Sequence, residues 1–222
     1  MTYKKDSVAL YDAAFRIQKE DGKVVKVIDY PLYFRNVKKE KLPPEESKIF
    51  TWSANLSQSI NPGWVIILTP LVVAFFTFLR GRKKEPSTPT KIAFGLLISA
   101  LSVLVMVAAV HIGNNGSEKV SVWWLVANYG VITIGELFLS PMGLSVVSKL
   151  SPKNITALMM GGWFLATSIG NKMSGVLASL WDTYDDKANF FWINFGLLLF
   201  ATLLMFALVK NLNKVMKEKG IN

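Results

Sequence analysis

Hydrophobic and polar positions are sharply segregated along this chain. Five apolar stretches, near 54–80, 92–112, 122–149, 155–181 and 189–210, are each long enough to cross a hydrocarbon core of about 30 Å, which takes roughly 20 helical residues. The most continuous, Phe190 to Val209, carries no charge at all. None of the five shows the period-two alternation that a membrane β-barrel strand needs. The pattern therefore predicts an all-α membrane protein, with five transmembrane helices in a region spanning residues 54–222.

Residues 1–53 differ in kind. The first 50 carry 11 Lys+Arg and 8 Asp+Glu, and Phe15 to Ile28 reads as two short strands around an Asp21-Gly22 turn. With no apolar core and no cleavage pattern this is not a signal peptide. The segment is expected to stay out of the membrane as a polar loop containing a short β-hairpin.

Charge adds orientation. A formal net charge of +10 would suit a nucleic-acid binder, but here the basic residues fall in short clusters between apolar runs, so the bilayer is the expected partner and nucleic acid is not. Arg80, Arg82, Lys83, Lys84 and Lys91 follow the first span, Lys149 and Lys153 the third, and Lys210, Lys214, Lys217 and Lys219 the fifth. The alternate connections hold only Lys119 and Lys187. By the excess of basic residues in cytoplasmic loops, the chain is multi-pass in the cell (inner or plasma) membrane, with the C-terminus cytoplasmic and residues 1–53 outside. Exporting a segment with eleven basic residues and no signal is awkward for an isolated chain. The difficulty vanishes if further membrane helices precede Met1 or are supplied by a separately encoded half.

Composition removes most enzyme chemistry. Without cysteine there is no disulfide, thiolate metal site or cysteine nucleophile, and a single histidine makes a histidine-rich metal centre implausible. No span contains the paired Asp of an intramembrane aspartyl protease. Ser145 and His111 fall at opposite ends of their spans and cannot share a proton. No catalytic residue and no metal site is expected.

Two ionisable residues lie inside the spans, where each costs roughly 2.5–3.5 kcal/mol at a helix centre and so asks for a role. Glu136 lies about 14 residues, or roughly 21 Å, into the third span, close to mid-membrane. It suits proton exchange or a substrate cation, or else a structural pair with a base on a neighbouring helix. Spacing by four places Asn128, Glu136, Ser140 and Leu144 on one face, Pro141 removes the backbone bond to the Leu137 carbonyl and is expected to kink the helix, and Gly143 admits a close neighbour. On the fourth span Met159, Trp163, Thr167 and Asn171 make a second stripe, beside the small residues Ala166, Gly170 and Ser174. Trp163 reads as a cavity wall or as plain helix packing, and Lys172 as a functional cation or one that snorkels outward. In the first span Pro62 and Pro70 read either as a doubly interrupted transporter helix with Asn61 at its site, or as an interfacial helix start with Trp64 in the aromatic belt.

Gly135-Glu-Leu-Phe-Leu-Ser-Pro-Met-Gly-Leu-Ser145, followed by Lys149-Leu-Ser-Pro152 and Met159-Met-Gly-Gly-Trp-Phe-Leu165, resembles the tenth and eleventh helices of the proton-dependent oligopeptide transporter (POT/PTR) family. Ser59-Ile-Asn-Pro62 resembles its eighth helix, and Pro86-Ser-Thr-Pro-Thr-Lys91 the loop between helices eight and nine. The likeness runs from about 55 to 210 in the family's order. It implies the C-terminal portion, helices eight to twelve, of a major-facilitator bundle that takes di- and tripeptides together with protons and needs no other cofactor. By this resemblance Glu136 receives the peptide's amino terminus or pairs with a base of the other half, Asn61 lies near that amino group, and Trp163 and Thr167 line the cavity. Leu144 and Met160 correspond to the inner gate. Helices one to seven have no counterpart here, nor do the proton-coupling residues they carry. Ser140, Asn171 and Lys172 stay without an assigned role, Lys172 lying outside the family pattern. The expected function is that of part of a proton-coupled di/tripeptide symporter, not transport-competent alone. The alternatives are a related major-facilitator carrier of another small solute or a non-transporting membrane subunit.

Overall fold

A computed structural model of the chain describes residues 3–10, 17–31, 34, 37, 42–48 and 54–220. Four strands come first: β1 (Asp6–Ala9), β2 (Lys19–Glu20), β3 (Lys23–Val24) and β4 (Lys26–Asp29). The expected turn is present, with Asp21 at φ 51° and Gly22 at φ 76°, the two positive angles that a tight two-residue hairpin requires. The hairpin is shorter than expected. β2 and β3 pair over two residues each, and then Val25 donates to Gln18 while its carbonyl accepts from Leu10, so the chain changes partner and β4 runs antiparallel to β1. β1 was not foreseen, and Phe15 and Arg16 lie outside the described residues. Tyr3 stacks on Tyr30 at 4.6 Å and meets Phe34 edge-on at 4.7 Å. The Tyr30 hydroxyl donates to Glu45, and that bond to a carboxylate pushes its ionisation up to about 12.

Every predicted apolar stretch is helical: α1 (Ala54–Gln58) and α2 (Ile60–Gly81), α3 (Thr88–Ile112), α4 (Trp123–Leu150), α5 (Thr156–Ser179), which runs into a 3₁₀ turn at Leu180–Thr183, and α6 (Lys187–Glu218). Among the described residues four spans, Leu56–Gly81, α3, α4 and α6, are long and apolar enough to cross a membrane. α5 forms where the fourth span was expected, but Gly161, Gly162, Asn171 and Lys172 dilute its apolar character. α6 is longer than its apolar run. Its 32 residues reach about 48 Å, more than a hydrocarbon core, so its last turns continue past Lys210 as a basic extension.

The core is built around α3, which packs against α4 and α6. Small residues make this possible. Ala93, Ala100 and Ser102 of α3 are wholly covered, and at the α3–α4 crossing a Cβ added to Gly95 would lie 2.9 Å from the Gly135 carbonyl oxygen. A Cβ on Gly135 would in turn overlap the Ser99 hydroxyl and lie 2.8 Å from the Gly95 oxygen. The two backbones are therefore in direct contact, as close packing in a bilayer favours where no hydrophobic force separates lipid from protein. Two buried hydroxyls of the bundle are satisfied within their own helices: Thr133 donates to the Tyr129 carbonyl at 2.6 Å and Thr202 to that of Leu198 at 2.7 Å.

Polar clasps close the two ends. Asn115, in the connection between α3 and α4, donates to the Asp185 carbonyl and accepts from the Lys187 backbone N–H, both at 2.6 Å, which ties that connection to the start of α6. At the other end Lys219 donates to the Leu150 carbonyl at 2.7 Å, capping α4 with a cation where the helix dipole favours one.

Candidate functional site

Glu136 meets Asn61. The Asn61 amide nitrogen donates to Glu136 Oε2 at 3.0 Å, joining residues 75 positions apart on α2 and α4, both half-buried. The contact depends on how α2 begins. α1 and α2 are separated at Ser59, and Pro62 stands in the first turn of α2, where a missing N–H costs no intrahelical bond. Trp64, one turn on, donates its indole N–H to the Val126 carbonyl at 3.0 Å and lies against Gly130, where a Cβ would come within 3.2 Å of the ring. Trp64 thus pins the start of α2 onto the first turns of α4. The break expected at Pro70 is absent, since α2 runs through it to Gly81.

Among the described residues, Glu136 Oε1 and Asn61 Oδ1 accept no hydrogen bond. The pair therefore offers a carboxylate oxygen and an amide oxygen side by side. That set suits a cation with several N–H donors, or a proton on the carboxylate.

A second meeting point lies about two turns, or roughly 10 Å, farther along α4. Trp163 of α5 rests on Gly143, where an added Cβ would clash with the edge of the indole ring. This is the close neighbour that the glycine was expected to admit. Leu144 and Met160, the expected gate residues, are half-buried beside this contact in sequence. The structure thus supports helix packing for Trp163, and among the described residues its indole N–H has no acceptor. α4 continues unbroken through Pro141, which is exposed together with Ser140.

The remaining expected residues are not gathered with these. Thr167 is exposed and returns its hydroxyl to the Trp163 carbonyl at 3.0 Å. Asn171 and Lys172 are exposed and have no partner among the described residues. Lys172 lies two and a half turns beyond Trp163, hence on the opposite side of α5. The small-residue stripe packs against nothing within the described chain, for a Cβ on Gly170 would have no atom within 4 Å.

One polar cluster was not foreseen. Glu85, between α2 and α3, takes a two-pronged contact from Arg80, Nε at 2.7 Å and Nη2 at 3.1 Å, and pairs with Lys91. Lys91 is only 5% exposed, and its ammonium lies 4.4 Å from the centre of the Phe76 ring. Hydrogen bonds from Arg80 and then Lys91 hold the Glu85 carboxyl down to about 2. The pairing therefore stabilises the fold fully above the ordinary value of 4.5 and is lost as pH falls through about 2. The signal in the sequence was a lone acid inside the basic run from Arg80 to Lys91.

Comparison with known proteins fits this geometry. The sequence model of the POT family (PTR2) matches residues 45–193. Dipeptide and tripeptide permease A of Proteus mirabilis is 36% identical over 132 residues, 60% of this chain and 26% of that protein. The peptide transporter YePEPT of Yersinia enterocolitica is 39% identical over 121 residues, 54% of this chain and 24% of that one. The chain thus spans about a quarter of the length of these relatives. Among solved structures, a peptide transporter POT in complex with sulfate superposes with a TM-score of 0.64 at 33% identity, over 72% of this chain and 32% of that one. A POT family transporter in complex with a thioalcohol-conjugated peptide does so with 0.62 at 29%, over 75% and 34%. With two thirds of its length under the family model and its helices superposing on solved members, the chain belongs to the POT family of membrane transporters.

Proposed function

We propose that the chain is the C-terminal part of a proton-coupled di- and tripeptide symporter, with the substrate's amino terminus bound near Glu136 and Asn61. The observation that carries this reading is the 3.0 Å hydrogen bond between the two residues, which leaves two acceptor oxygens at the height where an intramembrane carboxylate is most costly. An ammonium group satisfies both acceptors. A proton on Glu136 turns one of them into a donor and loosens that grip, which supplies a route from proton binding to substrate release. In this proposal the complete bundle brings Thr167 and the free edge of Trp163, whose other edge packs on Gly143, to the same pathway, Leu144 and Met160 narrow it toward the basic end, and no cofactor other than the proton takes part. The names of the relatives, dipeptide and tripeptide permeases, support the substrate class.

In this reading residues 54–222 are the membrane region, residues 1–53 lie outside, and the C-terminus is cytoplasmic in the cell membrane. Transport requires helices beyond those present here, because Thr167 and Asn171 of the α5 stripe stay exposed and the matched part of the chain covers only about a quarter of the relatives' length.

The test is uptake of labelled dialanine into vesicles under an inward proton gradient. The chain alone gives none. Reconstituted with the first seven helices of a POT relative, it gives gradient-dependent uptake that Glu136→Gln reduces at least tenfold. Uptake indifferent to Glu136→Gln, or a labelled solute that dialanine does not displace, would overturn the reading in favour of another cargo. No uptake in any combination would favour a non-transporting subunit.

A further inference from the structure

At the basic end of the bundle, the ends of α2, α4 and α6 and the start of α3 line a half-open cavity of about 880 Å³. Its wall carries Arg80, Lys91, Lys149 and Lys217 against one carboxylate, Glu85. That carboxylate is fully engaged, Oε2 by Arg80 and Oε1 by both Arg80 and Lys91. Lys149 and Lys217 have no ion-pair partner among the described residues, so the cavity keeps a surplus of positive charge.

Two further features point the same way. Asn213 of α6 lines the cavity with a buried side-chain oxygen that has no hydrogen-bond partner, and a half-turn of the amide presents its NH₂ in the same place. α3 opens onto the cavity at Ser87 and Thr88, and the Ser87 hydroxyl is bonded to that of Thr90 instead of capping the backbone. Thr88, the first residue of this 25-residue helix, lines the cavity with no side chain capping the helix start, and Pro89 after it has no N–H to satisfy.

We propose that this cavity is a phosphate-binding site at the membrane boundary, in which Lys149, Lys217, the start of α3 and Asn213 share the oxygens of one phosphate group. A tetrahedral anion answers all four features at once, whereas one carboxylate has too few oxygens to reach them. The cavity lies at the helix ends, where phospholipid headgroups lie, and Met142 and Met216 add an apolar wall that suits the first methylenes of an anionic lipid's acyl chains. The proposal does not depend on which cargo the transporter carries.

The test is retention of phosphatidylglycerol by the full chain in detergent, read by native mass spectrometry against phosphatidylcholine. Phosphatidylglycerol binds in preference to phosphatidylcholine. The pair Lys149→Gln/Lys217→Gln weakens it about tenfold, and Lys149→Arg/Lys217→Arg retains it. The pair Lys210→Gln/Lys214→Gln, with the same charge loss on α6 outside the cavity wall, changes it less than twofold. Millimolar inorganic phosphate that leaves the lipid in place assigns the site to a headgroup; displacement assigns it to dissolved phosphate, and both support a phosphate site. Equal losses in the two glutamine pairs, equal binding of the two lipids, displacement by acetate as effective as by phosphate, or loss in the arginine pair with helicity intact would each overturn it.

Discussion

α3 and α5 have nearly the same length, 25 and 24 residues, and opposite environments. Nine residues of α3 are buried, from Pro89 to Ala109, while α5 has none. Glycines show the contrast most directly. Gly95 of α3 faces the Gly135 backbone, with no room for a methyl group, whereas a Cβ on Gly161, Gly162, Gly170 or Gly175 of α5 would meet nothing within 4 Å. Small residues on a membrane helix thus permit close packing but do not create it; a complementary face must be present. α3 has two such faces among the described residues, on α4 and α6, and α5 packs less extensively, against α4, with Trp163 resting on Gly143. Its exposed surface mixes Leu158, Phe164, Leu165 and Ile169 with Thr167, Asn171 and Lys172, a composition that suits other helices and a polar cavity better than lipid alone.

Substitutions at three glycines test this contrast, in falling order of effect. Gly135→Val forces two methyl groups into the α3–α4 backbone contact and should cost about 3 kcal/mol or more, seen as loss of a monodisperse peak and of the cooperative thermal transition by circular dichroism in detergent. An unchanged transition would break the claim that α3 and α4 form the core. Gly143→Leu should cost about 1–2 kcal/mol, because the Trp163 ring can swing into open space. Its readout is greater acrylamide quenching of Trp163 emission, isolated by difference from Trp163→Phe. Gly170→Ala should be neutral or stabilise the chain by up to about 0.5 kcal/mol through helix propensity. A measurable loss there would show that α5 has a packed neighbour after all.

The pattern of apolar runs was enough to locate every long helix, because a bilayer imposes one length and one hydrogen-bonding solution on a spanning segment. The Asp21-Gly22 turn was legible for a similarly local reason, since few residue pairs accept two positive φ angles. β1 was not, because β4 found its partner across the turn and not within it. Asn61 and Glu136 could each be picked out, one beside a helix-start proline and the other as an acid deep in an apolar run. Their contact depends on Trp64, whose reach to the Val126 carbonyl no local pattern encodes.

What the sequence alone determined is therefore what depends on each segment against water or lipid: helix positions, the basic end and the two costly ionisable residues. What only the tertiary structure decided is which of these meet. Glu85 became the hub of Arg80 and Lys91, Trp64 joined α2 to the Val126 carbonyl, and the stripe on α5 stayed uncovered. The reason is that lipid holds apolar segments in place without choosing their neighbours. That choice falls to short-range shape and hydrogen bonds, such as a glycine opposite a backbone or an amide opposite a carboxylate, and these act only once two helices are side by side.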